Sequence, residues 1–106
     1  MREIQNYING KFQPPVNGST IDDLNPATGE IIGTVPASTS DDVQQAVDAA
    51  NGARTAWASL TIDERVNWLD KIANSLESHS EKIASLESID TGKPISLARA
   101  VDAARS

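Results

Sequence analysis

Cysteine is absent from the 106 residues, which excludes disulfides, thiolate metal sites and a cysteine nucleophile within them. Histidine occurs once and aromatic residues make up 4%, too few for a His-rich metal cluster or a row of stacking rings. No apolar run reaches the roughly 18 residues a transmembrane helix requires. Met1-Arg2-Glu3-Ile4 lacks the apolar stretch of a secretory signal, so a soluble, cytoplasmic protein is expected. Basic residues are outnumbered and dispersed, giving a net charge of −6; nucleic acid and anionic membranes are therefore not expected partners. Large apolar residues are scarce as well: Ile, Leu, Val and Phe together number 23, close to the roughly 20% below which chains tend toward disorder. Fourteen alanines supply much of the remaining apolar content, a composition suited to helices packed on something larger.

The residues that are present divide into a β part and a helical part. Residues 25–36, Asn-Pro-Ala-Thr-Gly-Glu-Ile-Ile-Gly-Thr-Val-Pro, end one strand, turn at Asn25-Pro26 and Gly29, and return through Ile31, Ile32 and Val35 to Pro36. Thr20–Leu24 is the strand that feeds this turn. Earlier, Tyr7-Ile8-Asn9-Gly10-Lys11-Phe12 predicts a tight hairpin, because a type I′ turn needs φ > 0 at both central positions. Pro14-Pro15 ends that unit and Asn17-Gly18-Ser19 makes a loop. Two hairpins in succession are expected over 1–38.

Helices are expected over 39–106. Thr39 with Asp41 and Asp42 suits the first turn of one helix, and Val43, Ala46, Val47, Ala50, Ala53 and Trp57 recur at helical spacing, which predicts a buried face. Asn51-Gly52 within it costs about 1 kcal/mol relative to alanine. Thr61-Ile62-Asp63-Glu64 is a capping box, followed by the stripe Arg65, Leu69, Ile72, Ala73, Leu76. Ser78-His79-Ser80-Glu81 reads as a second box, with Ile83, Leu86 and Ile89 inward. Gly92 and Pro94 end that helix, and Pro94 can be the first residue of a fourth, with Leu97, Ala98 and Val101 on one face. No stop follows before Ser106, so the sequence reads as cut inside an element and incomplete as a domain.

Side chains that could carry chemistry have plainer readings. His79 sits between serines at a helix junction and reads as a solvated loop histidine. Glu77 with Glu81, and Glu87 with Asp90, are spaced to meet on a helix, yet on an acidic surface they read as solvated. Trp57 and Trp68 read as core or interface packing rather than a ligand pocket. Lys93 could meet an anion at the fourth helix, or stand as an exposed loop lysine. No Gly-x-Gly-x-x-Gly, Gly-x-Ser-x-Gly or phosphate loop is present, so no cofactor-binding or catalytic residue is identified.

The ordered set Tyr7-Ile8-Asn9-Gly10-Lys11, NPATGEIIGTVP, Asp42-Val43, Trp57, Glu64-Arg65 and Leu86-Glu87-Ser88-Ile89-Asp90-Thr91-Gly92-Lys93-Pro94 resembles the N-terminal segment of the aldehyde dehydrogenase superfamily. The run Ile95–Arg99 leans toward its branch acting on muconic-type semialdehydes. The resemblance implies an α/β parent fold in which this segment, two hairpins and about four helices, is a partial N-terminal piece of the cofactor-binding domain. It implies oxidation of an aldehyde or semialdehyde to a carboxylic acid with NAD or NADP, using a Cys and a Glu that these residues do not contain, so the segment alone is expected to be inactive. It further implies a parent homodimer or homotetramer, and a potassium or sodium ion on carbonyl oxygens at Asp23 and Leu24 and on Asp90. Oxygen ligands suit such a hard cation; Asp90 bracing its helix end is the other reading. From the residues alone a different class stays open, a free-standing non-catalytic helical module that binds a partner through exposed apolar stripes.

Overall fold

The computed structural model describes residues 1–102. Five strands come first: β1 (Arg2–Glu3), β2 (Asn6–Ile8), β3 (Lys11–Gln13), β4 (Thr20–Leu24) and β5 (Ile31–Pro36). Helices α1 (Ser40–Ser59), α2 (Ile62–Ser78) and α3 (Ser80–Thr91) follow, then a single turn α4 (Ile95–Leu97) and a π-helical turn over Ala98–Asp102. The fourth predicted helix is therefore one α turn continued by a wider one. Residues 103–106, over which it was expected to run, lie outside the described residues. The protein divides into two compact units, Met1–Leu24 with Ile31–Ser59, and Asn25–Glu30 with the residues from Leu60 onward.

In the first unit both hairpins form as the local signals require. Ile8 pairs with Lys11 across a two-residue loop in which Asn9 and Gly10 have φ of 52° and 77°, the left-handed pair of a type I′ turn. Tyr7 opposes Phe12, their ring centroids 4.9 Å apart and tilted by 55°, a favourable aromatic arrangement. Strands β4 and β5 pair antiparallel from Thr20↔Pro36 to Asp23↔Gly33, with a register shift before Leu24↔Ile31. An unexpected strand completes this sheet. β1 lies parallel to β5 through Arg2↔Gly33 and Glu3↔Thr34, and the Ile4 amide donates to Thr34 O at 2.9 Å. The order is β1-β5-β4.

Helix α1 runs unbroken through Asn51-Gly52. The face expected to be buried is not covered: Val43, Val47 and Trp57 are 58%, 47% and 43% exposed. Helical spacing marks an apolar face, but only a packing partner buries it, and no other part of this unit covers these residues. A Cβ added at Gly52 would meet nothing within 4 Å. Gly52→Ala is therefore expected to stabilise α1 by about 0.5–1 kcal/mol through backbone entropy. The check is an increase in helical circular dichroism at fixed temperature; no increase would mean that Gly52 is not helical in solution.

In the second unit the loop between β4 and β5 is closed by Asn25. Its amide donates to Glu30 O at 2.9 Å, its carbonyl accepts from Gly29 N at 2.8 Å, and its side chain accepts from Ala27 N at 2.9 Å. Helix α2 opens on the predicted capping box, with Glu64 N donating to Thr61 Oγ1 at 3.2 Å and Thr61 N donating to Glu64 Oε2 at 2.8 Å. Of its stripe, Leu69 and Ile72 are about half exposed, as are Val66 and Trp68 on the same helix. The second capping box does not form. Ser78 is still helical, its hydroxyl donates to Ser75 O at 2.8 Å, and His79 takes the cap position of α3 without a side-chain bond. Glu81, the other half of that box, turns instead to Arg99. Gly92 ends α3 in the left-handed region at φ 75°, its amide donating to Ser88 O, a conformation that costs a non-glycine residue roughly 1–2 kcal/mol. Pro94 caps α4 from outside the helix, one position earlier than expected. Ala84 and Ala98 are the fully buried apolar side chains among the described residues; the small core of this unit lies where α3 meets the π-helical turn.

Candidate functional site

The best-organised polar group is Asp42, 2% exposed in the first turn of α1. Its Oδ2 accepts from Thr39 N at 2.8 Å and from Thr39 Oγ1 at 3.0 Å. Its Oδ1 accepts from Val16 N at 2.8 Å, which fastens the loop after β3 to the start of the helix. The Thr39 amide, above all, holds the carboxyl below its ordinary value of 3.8, against burial, with further help from the Val16 amide and the Thr39 hydroxyl. Three hydrogen bonds favour the charged form. The expected cap is thus inverted, because the Thr39 hydroxyl donates to Asp42 instead of accepting from the helix. The offset of three from Thr39 was a legible sign of a bond between them; the partner 26 residues back was not. All three partners are ordinary amides and a hydroxyl, so Asp42 is a structural latch.

Beside it, a shallow open groove of about 360 Å³ lies between the β2–β3 turn and α1, lined by Tyr7, Ile8, Asn9, Gly10 and alanines 46, 49, 50 and 53. It brings together no converging acid, base or nucleophile, which an active-site pocket requires.

The other side chains singled out from the sequence are placed apart. His79 is exposed and Nδ1 lies 2.7 Å from Ser75 O, so its role is local to the junction. Glu81 does not pair with Glu77; Arg99 grips it with Nη2 at 2.6 Å and Nε at 3.0 Å, which lowers the Glu81 pKa and raises that of Arg99 by hydrogen bonding and charge. Glu87 lies 3.6 Å from Lys93 Nζ, so Lys93 is half-buried and paired and not a free anion ligand. Trp57 and Trp68 are 43% and 52% exposed and belong to no core among the described residues; Lys71 Nζ stands 4.5 Å from the Trp68 ring centroid, a cation–π contact. Among the described residues no three His, Cys, Asp or Glu stand together as a metal cluster. Asp23 and Leu24 lie at the end of β4, where its ladder with β5 changes register. Asp90 is the penultimate residue of α3. The first two fall in one compact unit and Asp90 in the other.

With no reacting constellation among the described residues, comparison with known proteins carries the class. The profile of the aldehyde dehydrogenase family matches residues 12–106. Acetaldehyde dehydrogenase 2 of Cupriavidus necator is 40% identical over 101 residues, covering 95% of this chain and 20% of that protein. The crystal structure of PnpE from Pseudomonas sp. WBC-3 matches with a TM-score of 0.93 at 41% identity, over 98% of this chain and 21% of the other. PnpE in complex with nicotinamide adenine dinucleotide matches with a TM-score of 0.92 at 42% identity, over 96% and 21%. The chain belongs to the aldehyde dehydrogenase family and spans about a fifth of the length of these relatives. No helix among its described residues is long and apolar enough to cross a membrane.

Proposed function

We propose that these residues are the N-terminal part of the cofactor-binding domain of an NAD(P)-dependent enzyme that oxidises an aldehyde or semialdehyde to a carboxylic acid, and that they are structural in it. The observation that carries the reading is the combination of family membership with apolar stripes on α1 and α2 that remain about half exposed. A finished domain rarely leaves such stripes open. The residues present offer no glycine-rich phosphate loop and no cysteine nucleophile, so in this reading the nicotinamide cofactor, which would accept the hydride, is held by other parts of the enzyme. The catalytic Cys and Glu belong there too. The whole enzyme is a cytoplasmic homodimer or homotetramer in this proposal. A potassium or sodium ion on the carbonyl oxygens of Asp23 and Leu24 and on Asp90 is also part of it, as the family resemblance implies; oxygen ligands suit such a hard cation.

The test is to read the coding frame beyond Ser106 and assay its product. A frame that continues into a Cys-bearing segment, and a product that reduces NAD or NADP when given an aldehyde, are expected, with no reduction by the 106 residues alone. A stop codon directly after Ser106 would overturn the proposal. The cation is tested separately by the Tm of the whole enzyme in potassium or sodium chloride against choline chloride, since a bound ion stabilises by mass action; equal Tm values would remove it.

A further inference from the structure

We propose that Asn9 is the site at which this protein is chemically modified with age, by deamidation through a succinimide. Three Asn-Gly pairs are present, Asn9-Gly10, Asn17-Gly18 and Asn51-Gly52. Glycine after asparagine leaves the attacking amide unhindered at each. All three asparagines are exposed, so access to water does not separate them. Backbone bonding does.

In the reaction the deprotonated amide nitrogen of the glycine attacks Cγ of the asparagine. A new bond forms between that nitrogen and Cγ, the bond from Cγ to Nδ2 breaks, and ammonia leaves. Water then opens the ring at one carbonyl or the other, giving aspartate or isoaspartate. The attacking nitrogen must therefore be free of its hydrogen bond, and Cγ must be free to turn toward it.

Gly18 N donates to Pro15 O at 2.8 Å and the Asn17 side chain accepts from Ser19 N at 3.0 Å, so both reacting groups are held. Asn51-Gly52 lies inside α1, where the glycine amide belongs to the helical ladder and ring closure must break the helix. At the hairpin tip the geometry differs. The strand pairing ends at Ile8↔Lys11, the two turn residues carry no ladder bond, and a Cβ at Gly10 would meet nothing within 4 Å. Only the two-residue tip has to rearrange.

The consequence is structural. Isoaspartate lengthens the backbone by one carbon inside a two-residue turn, which breaks the register that sets Tyr7 against Phe12 and adds a negative charge to a protein already at −6.

The test, which rests on the proposed function for the protein used, is to incubate the whole enzyme that contains these residues in mildly alkaline buffer, digest it, and follow aspartate and isoaspartate at each of the three pairs by mass spectrometry, native and in urea. Product at position 9 is expected roughly fivefold or more ahead of positions 17 and 51 under native conditions, the scale of one hydrogen bond to be broken. In urea the three rates should converge, and Asn9→Gln should remove the early product. Position 17 or 51 leading, equal rates under native conditions, or the same order persisting in urea would each overturn the proposal.

Discussion

Replacing Asp42 with alanine is expected to free the loop after β3 from the start of α1. The carboxylate accepts from both Val16 N and Thr39 N at 2.8 Å in a site that is almost closed to water, so its loss leaves two amide donors to be satisfied elsewhere. Hydrogen exchange at the Val16 and Thr39 amides should quicken roughly tenfold or more, the scale of losing a bond to a charged acceptor, while amides in α2 and α3 stay unchanged. Asp42→Asn should behave similarly, because an amide cannot accept from both sides. The same latch carries a pH signature. Its pKa is lower folded than unfolded, so the unfolded state takes up the proton more readily and acid favours unfolding. The contribution is complete above the ordinary value of 3.8 and is lost as pH falls from there through the depressed value. Protection of Val16 should follow that curve in the native protein and be flat in Asp42→Asn. Equal exchange in native and variant proteins would show that the latch does not form.

Gly33→Ala is expected to expel β1 from its sheet. A Cβ at Gly33 would lie 2.5 Å from the Arg2 carbonyl oxygen and 3.4 Å from its carbon, far inside contact distance with backbone that cannot rotate away. Strand β1 has only two residues and is the element that yields. The cost is about 1–3 kcal/mol, as for overpacking elsewhere, in contrast to the gain expected at Gly52, where space is open. The readout is the amide of Ile4, whose bond to Thr34 O should lose its exchange protection while the β4–β5 ladder keeps its own. Unchanged protection of Ile4 would mean that β1 is not on this edge in solution.

These two residues also show where reading the sequence stopped. Asn9-Gly10, Thr20–Leu24, the Thr61/Glu64 box and the Gly92 terminus were legible because each is set by neighbours within a few positions. Gly33 was not: its close approach to Arg2 depends on a parallel pairing across about thirty residues, and Arg2-Glu3-Ile4 has no alternation to announce a strand. Asp42 showed its bond to Thr39 in its spacing, but not its bond to Val16. The false capping box at Ser78 failed through competition, since Ser78 remained helical and Arg99 captured Glu81. Apolar spacing identified the faces of α1 and α2 correctly and their burial incorrectly, because periodicity reports which side needs a partner and not whether these residues supply it. The cation site proposed at Asp23, Leu24 and Asp90 rests on family resemblance alone. Backbone carbonyls, as proposed at Asp23 and Leu24, leave no mark in side-chain type.

The most direct test of the claim that these residues are structural members of a larger enzyme is urea unfolding of the 106 residues followed by circular dichroism. With two helices presenting half-exposed apolar stripes, little apolar surface is buried to make the transition cooperative. A shallow transition, or a steady drift without a midpoint, is therefore the expected result. A steep two-state transition would mean that the segment closes a full core by itself and would contradict that claim.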